Sequence, residues 1–455
     1  MHSPSLKLSL SRFMTNYGML FVLILIVAAF SLATIQEQPV EGRFAGESMA
    51  SDFTASYDSG TCVVIVSSSV DDTRLVEGFR EGVADGKNRI QTIVTGETPP
   101  EIKTALLAAL DSSGGIKPVA IICSRTTSAY TFFNSIPTLS DADMLVPVAQ
   151  KRSNFLKPSN LNNVPQKMAR MAIIAIGMTM VIITAGIDLS VGSLLALAAV
   201  SSTLLVRKFG GVDASPTMVL LAFTGGIALC GMMGAVSGIL TTAFKMPAFI
   251  ATLAIMLIAR GLAKSMSENQ IITGMPSDVF DKLWSFTIPG ASITILSSVV
   301  IMITLYVIAH FIMAKTTLGR HIYAIGGNEE AARLSGVPVN RVLLLVYTIT
   351  GIMAGIAGVM MATEFNSGKA IWGVGLELDV IAAVVVGGTS LMGGQGRIFG
   401  TLIGCAIIVV IRNGMNLLSL EDSMQMMVMG GVIVLAIVVD KAKKGDIPLL
   451  GLRRA

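Results

Sequence analysis

Apolar runs alternate with short polar breaks along most of this 455-residue chain, and one long polar block interrupts the alternation. The first apolar run covers 17–34. After the block, further runs lie near 165–185, 190–206, 217–243, 247–265, 292–313, 341–363, 378–390, 397–418 and 424–440. A helix rises about 1.5 Å per residue, so ~20 apolar residues cross a bilayer core. The run 378–390 falls short of that and is closely followed by the next, which predicts a half-helix or re-entrant segment. The pattern predicts an α-helical polytopic membrane protein with about ten transmembrane helices. The first run follows Lys7 and Arg12 and reads as a retained helix with a cytoplasmic N-terminus, although Ser31-Leu32-Ala33 also has the small residues of a signal-cleavage site.

The polar block, 36–160, carries other periods. The stretch 61–67 (TCVVIVS) is continuously apolar and β-branched, like a buried parallel strand. Over 71–85, Leu75, Val76, Phe79 and Val83 share one helical face. A second strand is expected at 90–95. Thr98-Pro99-Pro100-Glu101 then starts a helix, with Thr98 as N-cap, Pro99 at the first position and Glu101 closing a capping box; Gly114-Gly115 suit its end. A third strand is expected at 119–123, a helix at 126–134 and a fourth strand at 145–149, with 36–60 and 135–160 as linkers. Alternating strands and helices predict a small α/β insertion with a parallel sheet, placed between the first and second spans. The chain thus divides into 1–35 (tail and first span), 36–160 (insertion with linkers), 161–445 (transmembrane domain) and 446–455 (tail).

Composition strengthens the membrane reading: 53% of residues are hydrophobic and only 14% are charged, against roughly 25% charged in soluble proteins. The 45 glycines suit closely packed membrane helices. The net charge of +4 is partitioned, since the block has 11 basic and 15 acidic residues and the remainder nets +8. Outside the block, basic residues gather in short loops: Lys245; then Lys315, Arg320, Arg333 and Arg341; then Arg397; then Lys441, Lys443, Lys444, Arg453 and Arg454. Basic loops face the cytoplasm, which makes the insertion extracytoplasmic; Arg207, Lys208, Arg260 and Lys264 are exceptions. No basic stripe points to nucleic acid. Cys230 and Cys405 lie in apolar runs as packing, while Cys62 and Cys123 lie inside strands of the insertion, where pairing is disfavoured; no cysteine spacing suits a metal.

Two segments carry the chemistry. Residues 167–206 contain one acid, Asp188, in GIDLSVGS, where Gly186, Ser190 and Gly192 break an apolar helix. A carboxylate there either caps the helix starting near Ser190 or contacts the solute and gates a path. The second segment is the polar loop 319–341. After Gly327, Asn328 is an N-cap and Glu329 and Glu330 occupy the first turn; Ala331 and Ala332 allow close approach. Arg333 and Ser335 follow, Gly336 takes the C′ position and Pro338 stops the helix. A helix of two turns is marginal alone, so it is expected to pack on a partner. The glycines of 387–404 contain no phosphate-loop match and read as helix packing or a bent span. His310 and His321 are isolated, and Trp284 and Trp372 lie at span ends as interfacial anchors. No catalytic or metal-ligating set emerges.

AIGMTMVIITAGIDLSVGS resembles the signature of permease subunits of ribose/xylose/galactose-type ABC importers. The loop 319–341, Met246-Pro247-Ala248-Phe249-Ile250-Ala251-Thr252-Leu253, Glu377-Leu378-Asp379 leading to 387–397, and Asn413-Gly414-Met415-Asn416 resemble the same family. The likeness is close over 155–445, loose over 1–35 and absent from the insertion, which distantly resembles one lobe of a type-I periplasmic sugar-binding protein. One lobe has no facing surface to close on a sugar, so a docking domain and an active sugar site both stand as readings. The family resemblance implies a multi-pass subunit of the bacterial inner membrane that takes up a sugar or a similarly small neutral polar solute. It implies a coupling helix at 328–336, no ATPase site or cofactor of its own, and ATP hydrolysed by partner ABC ATPase subunits. The other implied partners are an extracytoplasmic solute-binding protein, a second permease copy (homodimer or paralogue) and membrane lipid. A sensor using the insertion and a secondary transporter using Asp188 are the alternatives.

Overall fold

The computed structural model describes residues 4–38, 40, 42–57, 61–67, 70–83, 89–112, 117–288 and 293–444. It falls into two compact units: Ile35–Asn154, and the chain on either side of it. The first helix, α1 (Pro4–Ala33), belongs to the second of these.

The inserted unit follows in chain order as β1 (Ile35–Gln38), α2 (Gly42–Ser56), β2 (Thr61–Ser67), α3 (Val70–Val83), β3 (Arg89–Gly96), α4 (Pro99–Ser112), β4 (Ala120–Ile122), α5 (Arg125–Ser128), β5 (Asp143–Leu145) and β6 (Gln150–Ser153). Strands β3, β2, β4 and β5 lie side by side in that order, all parallel. Strand alternation sends Ala120 and Ile122 to one face with Phe53, Leu75 and Phe79, and Ile121 and Cys123 to the other with Ile102 and Leu106. Helices therefore cover both faces, as a continuously apolar parallel strand demands.

The segments read as linkers are structured. Ile35–Gln38 pairs antiparallel with Gln150–Ser153, a ribbon that brings the two ends of the insertion together. Within 36–60, α2 buries Ala45, Gly46, Met49, Ala50 and Phe53. The turnover of small and large residues in GRFAGESMASDF hides this face, because its close approach to α3 runs through glycines: a Cβ on Gly46 would overlap the Leu75 carbonyl, and one on Gly78 the Arg43 carbonyl. Glu101 accepts the Glu97 amide at 3.0 Å, one residue before the N-cap that a capping box would use. The expected helix over 126–134 is split into α5 and a 3₁₀ turn, Thr131–Ser135, and the fourth strand lies at Asp143–Leu145 rather than 145–149. Cys123 is buried with a free thiol; the Cys62 side chain and the Gly114-Gly115 helix end lie outside the described residues.

The membrane unit continues with α6 (Pro158–Ile183), α7 (Val191–Lys208), α8 (Pro216–Thr242), α9 (Ala248–Met266), α10 (Ser277–Trp284), β7 (Ser285–Ile288), β8 (Ile293–Leu296), α11 (Ser297–Lys315), α12 (Thr317–Gly327), α13 (Glu329–Leu334), α14 (Val339–Glu364), α15 (Leu376–Val386), α16 (Ile398–Leu417) and α17 (Asp422–Lys444). Among the described residues, seven helices are long and apolar enough to cross a membrane: α6, α7, α8, α9, α11, α14 and α16. Shorter apolar stretches lie in α1 and α17, and α15 has only 11 residues, about 16 Å of rise. α14 packs against α6, α7 and α8 together. Its glycines permit this: a Cβ on Gly351 would overlap the Cys230 carbonyl, and one on Gly358 the Leu195 carbonyl. Where lipid removes the hydrophobic drive between helices, such backbone-close packing holds them.

Candidate coupling helix and helix break

α6 ends in a Schellman-type turn: the Gly186 amide reaches the Val181 carbonyl (3.0 Å), with Ala185 left-handed (φ 60°). The chain then crosses 186–190 and restarts as α7. Asp188 is fully buried in this break. Its Oδ1 accepts the Ser190 amide at 2.8 Å and the Ser190 hydroxyl at 2.6 Å. The carboxylate thus fixes the turn just ahead of α7; Ser190 is the N-cap residue and its side chain does not cap. Oδ2 has no hydrogen-bond partner among the described residues. Gly186 and Gly192 are small for identifiable reasons: a Cβ on Gly186 would stand 2.5 Å from the Tyr347 hydroxyl, and one on Gly192 would overlap the Gly373 carbonyl beside the Glu377 carboxylate. All four residues expected at the break, Gly186, Asp188, Ser190 and Gly192, therefore meet there. Thr252 of the MPAFIATL segment joins them: its hydroxyl accepts the Leu189 amide at 3.2 Å and lies 2.9 Å from the Ala248 carbonyl.

Opposite the break, residues 365–375 turn and start α15 at Gly375 (φ 77°). Arg260 holds this turn, donating from one nitrogen to the Ala370 and Trp372 carbonyls at 2.5 and 2.6 Å. That explains its exception to the charge rule: Arg260 is a fastener within a helix, not a loop charge. Trp372 sits in the same turn with its ring 5.5 Å from that of Phe365, and the Trp284 side chain lies outside the described residues. Asp379 of α15 pairs with Arg412 of α16 at 2.6 Å.

The helix expected at 328–336 is α13. Asn328 Oδ1 accepts the Ala331 amide at 2.9 Å, and Arg333 pairs with Glu329 at 2.7 Å along the surface. The Val337 amide reaches the Ala332 carbonyl at 3.0 Å, with Gly336 left-handed (φ 84°) ahead of Pro338. Asn328, Glu329, Glu330, Ala331, Arg333, Ser335 and Gly336 are exposed, and Leu334 is 84% exposed. Ala332 instead packs into the chain's own core at 5% exposure, so its small size serves an internal contact.

Sequence reasoning named Gly327, which is exposed with open space around it. It missed its neighbour Gly326, where a Cβ would overlap the Ile183 carbonyl and stand 2.5 Å from the Gly394 amide. Gly394 donates to that same Ile183 carbonyl at 2.8 Å, and Tyr323 donates to Gly396 at 2.8 Å. The glycine-rich segment 387–397 is thus a turn packed at the base of α13 and on the end of α6, three residues before the break. The doubled glycines at 326–327 and 393–394 were the available signal for this backbone-to-backbone contact.

Two long apolar helices thus meet at a turn around a buried carboxylate, and a short polar helix is braced on the end of the first. The family described as the branched-chain amino acid transport system permease component matches residues 161–437. The ribose import permease protein RbsC of Escherichia coli K12 is 40% identical over 301 residues, 66% of this chain and 91% of that protein. RbsC of Bacillus subtilis 168 is 41% identical over 305 residues, covering 66% and 90%. The D-allose transport system permease protein AlsC of E. coli K12 is 34% identical over 287 residues, covering 63% and 85%. No solved structure matches the chain. The chain belongs to this family of transport-system permease components, and residues 35–154 lie outside the matched region.

Proposed function

We propose that this chain is the membrane subunit of a bacterial ABC importer that takes a sugar, or a similarly small neutral polar solute, across the inner membrane. The similarity to ribose, allose and arabinose permeases supports that substrate class. As a permease subunit it hydrolyses no ATP; separate ATPase subunits do so and dock on α13. The observation that carries the docking role is a short, fully capped helix that presents Leu334 to solvent between two spans and is braced through Gly326 on the end of α6. A push on α13 therefore reaches the residues next to the Asp188 break directly. A solute-binding protein delivers the solute from outside, and a second permease copy in the surrounding lipid completes the path. The ten helices α1, α6, α7, α8, α9, α11, α14, α15, α16 and α17 form the membrane domain, with α15 as a half-helix. The insertion, net negative and preceded by one span, lies outside the cytoplasm and docks a partner.

The test of this reading is Leu334→Arg in the co-expressed complex. Membrane insertion and yield are expected to stay normal while solute-stimulated ATP hydrolysis is lost. Unchanged assembly and uptake of ribose-class sugars in this variant would remove α13 as the docking helix.

A further inference from the structure

The turn 389–396 is built to present one side chain. The Ser390 amide donates to the Gln395 carbonyl at 3.0 Å, and the Gly393 amide to the Ser390 carbonyl at 3.0 Å. The Met392 amide faces the Ser390 hydroxyl at 3.3 Å. Gly393 and Gly394 both have positive φ (85° and 69°), which a turn this tight requires. The far side is pinned by Gly394 to Ile183 and by Tyr323 to Gly396. On this fixed backbone Met392 is 84% exposed, as exposed as Leu334 of α13. The two elements touch: a Cβ on Gly394 would stand 3.1 Å from the Gly327 Cα, at the residue preceding the Asn328 cap.

A large apolar side chain held out by a hydrogen-bonded turn is a ready anchor, since the ordering of its backbone precedes binding. Exposed Gln395 and Arg397 follow Met392 in the chain, and exposed Glu329 and Glu330 open α13, a polar setting; the exposed residues of α11 are instead mostly apolar. We infer that the turn 389–396 is a second docking element for the same ATPase subunit that engages α13, with Met392 and Leu334 as the two apolar anchors of one continuous surface. The inference rests on the docking reading of α13 and extends it. It also gives that surface a second mechanical outlet: the turn is the direct continuation of α15, the half-helix whose start faces the Asp188 break.

The experiment places a photo-crosslinking amino acid at position 392, at 334 and, as a membrane-facing control, at 307 in α11. Each full chain is co-expressed with the ATPase subunit that co-purifies with it. Crosslinks to the ATPase are expected from 392 and 334 and not from 307. In parallel, Met392→Asp is expected to weaken ATPase association by about tenfold, the scale of one interface anchor, while Met392→Leu retains it. Should Met392→Asp fail to fold, the crosslinking decides alone. A crosslink from 334 but none from 392, or one from 392 to lipid only, overturns the second element and leaves α13 as the docking helix. Absence of crosslinks from both positions overturns the docking reading itself along with this one.

Discussion

The two units of this chain share glycine-lined helix contacts, at α2 with α3 and at α14 with its neighbours, but differ in what else holds them. In the membrane unit, helices meet backbone to backbone, and glycines mark the meeting points of α14 with α7 and α8. In the inserted unit, a sheet separates two apolar clusters, each closed by amphipathic helices. Within the helices of the membrane unit, Asp379 is 10% exposed in its pair with Arg412, itself 41% exposed, whereas Arg43 and Glu81 of the insertion are 59% and 55% exposed. Water drives the assembly of the inserted unit. In lipid, apolar surface gains nothing by leaving its solvent, and close fit and buried polar contacts must hold the helices.

The sharpest way to break this contrast is to add bulk at one glycine in each unit. Gly351→Leu sets a side chain into the Cys230 carbonyl and is expected to destabilise the membrane unit by about 3 kcal/mol or more. Its detergent-solubilised yield and melting temperature should collapse. Gly46→Leu meets the Leu75 carbonyl and should unfold only the insertion, detected as new protease cuts within 42–83 while transport-unit melting is kept. A Gly351→Leu chain that melts like the parent would refute close helix packing as the main support.

Next in size are the ion pairs. Arg412→Leu strands the Asp379 carboxylate at 10% exposure and is expected to lower membrane-unit stability by about 3 kcal/mol. Arg43→Leu, on an exposed pair, should change the insertion by no more than about 1 kcal/mol. Equal losses in chemical denaturation would mean that the two environments differ less than their burial indicates.

Periodicity made the membrane helices legible, because a run of twenty apolar residues has few other uses. The cap, first-turn acids and C′ glycine of α13 were legible for the same reason, being local signals within ten residues. What could not be read were contacts between distant backbones. The doubled glycines at 326–327 and 393–394 hint at a close approach but name no partner, and Ala332 and Ala331 look alike until the fold turns one inward. The helix α2 was missed because four of its six buried positions are glycine or alanine, leaving only Met49 and Phe53 to mark the face. Asp188 was placed correctly at the break, but its hydrogen bonds go to Ser190 itself rather than to the first free amides of α7.

That geometry sharpens the test at Asp188. Asp188→Asn keeps an oxygen for the Ser190 amide and hydroxyl and should preserve most folding and transport. Asp188→Leu leaves both donors buried without an acceptor and is expected to cost about 2 kcal/mol, read as reduced expression and melting temperature. Complete loss of uptake in a well-folded Asp188→Asn chain would instead assign the charge itself a part in transport.

The smallest expected effect is a pH dependence confined to the inserted unit. Two of its groups are held protonated by the fold. The Tyr57 hydroxyl donates to Asp143 and is pushed up to about 12, first by that hydrogen bond and then by burial and the Asp143 charge. The Cys123 thiol is pushed up to about 12 by burial, with the Asp72 carboxylate adding to it. Unfolded thiols and phenols lose their protons near 8.5 and 10, roughly. Between those values and about pH 12 the folded unit binds more protons than the unfolded chain, so its stability falls as pH rises. Below about pH 8 both contributions are complete. A chain denatured at pH 7 and again at pH 11 should therefore show the insertion weakened at the higher pH, with Cys123 becoming reactive to alkylation only as the unit opens. Tyr57→Phe removes one of the two sources: its stability should be slightly lower at pH 7, and its decline between pH 10 and 12 shallower than the parent's. If the decline keeps its full slope in Tyr57→Phe, the Tyr57–Asp143 hydrogen bond is not what ties the insertion to pH, and the burial of Cys123 must account for it.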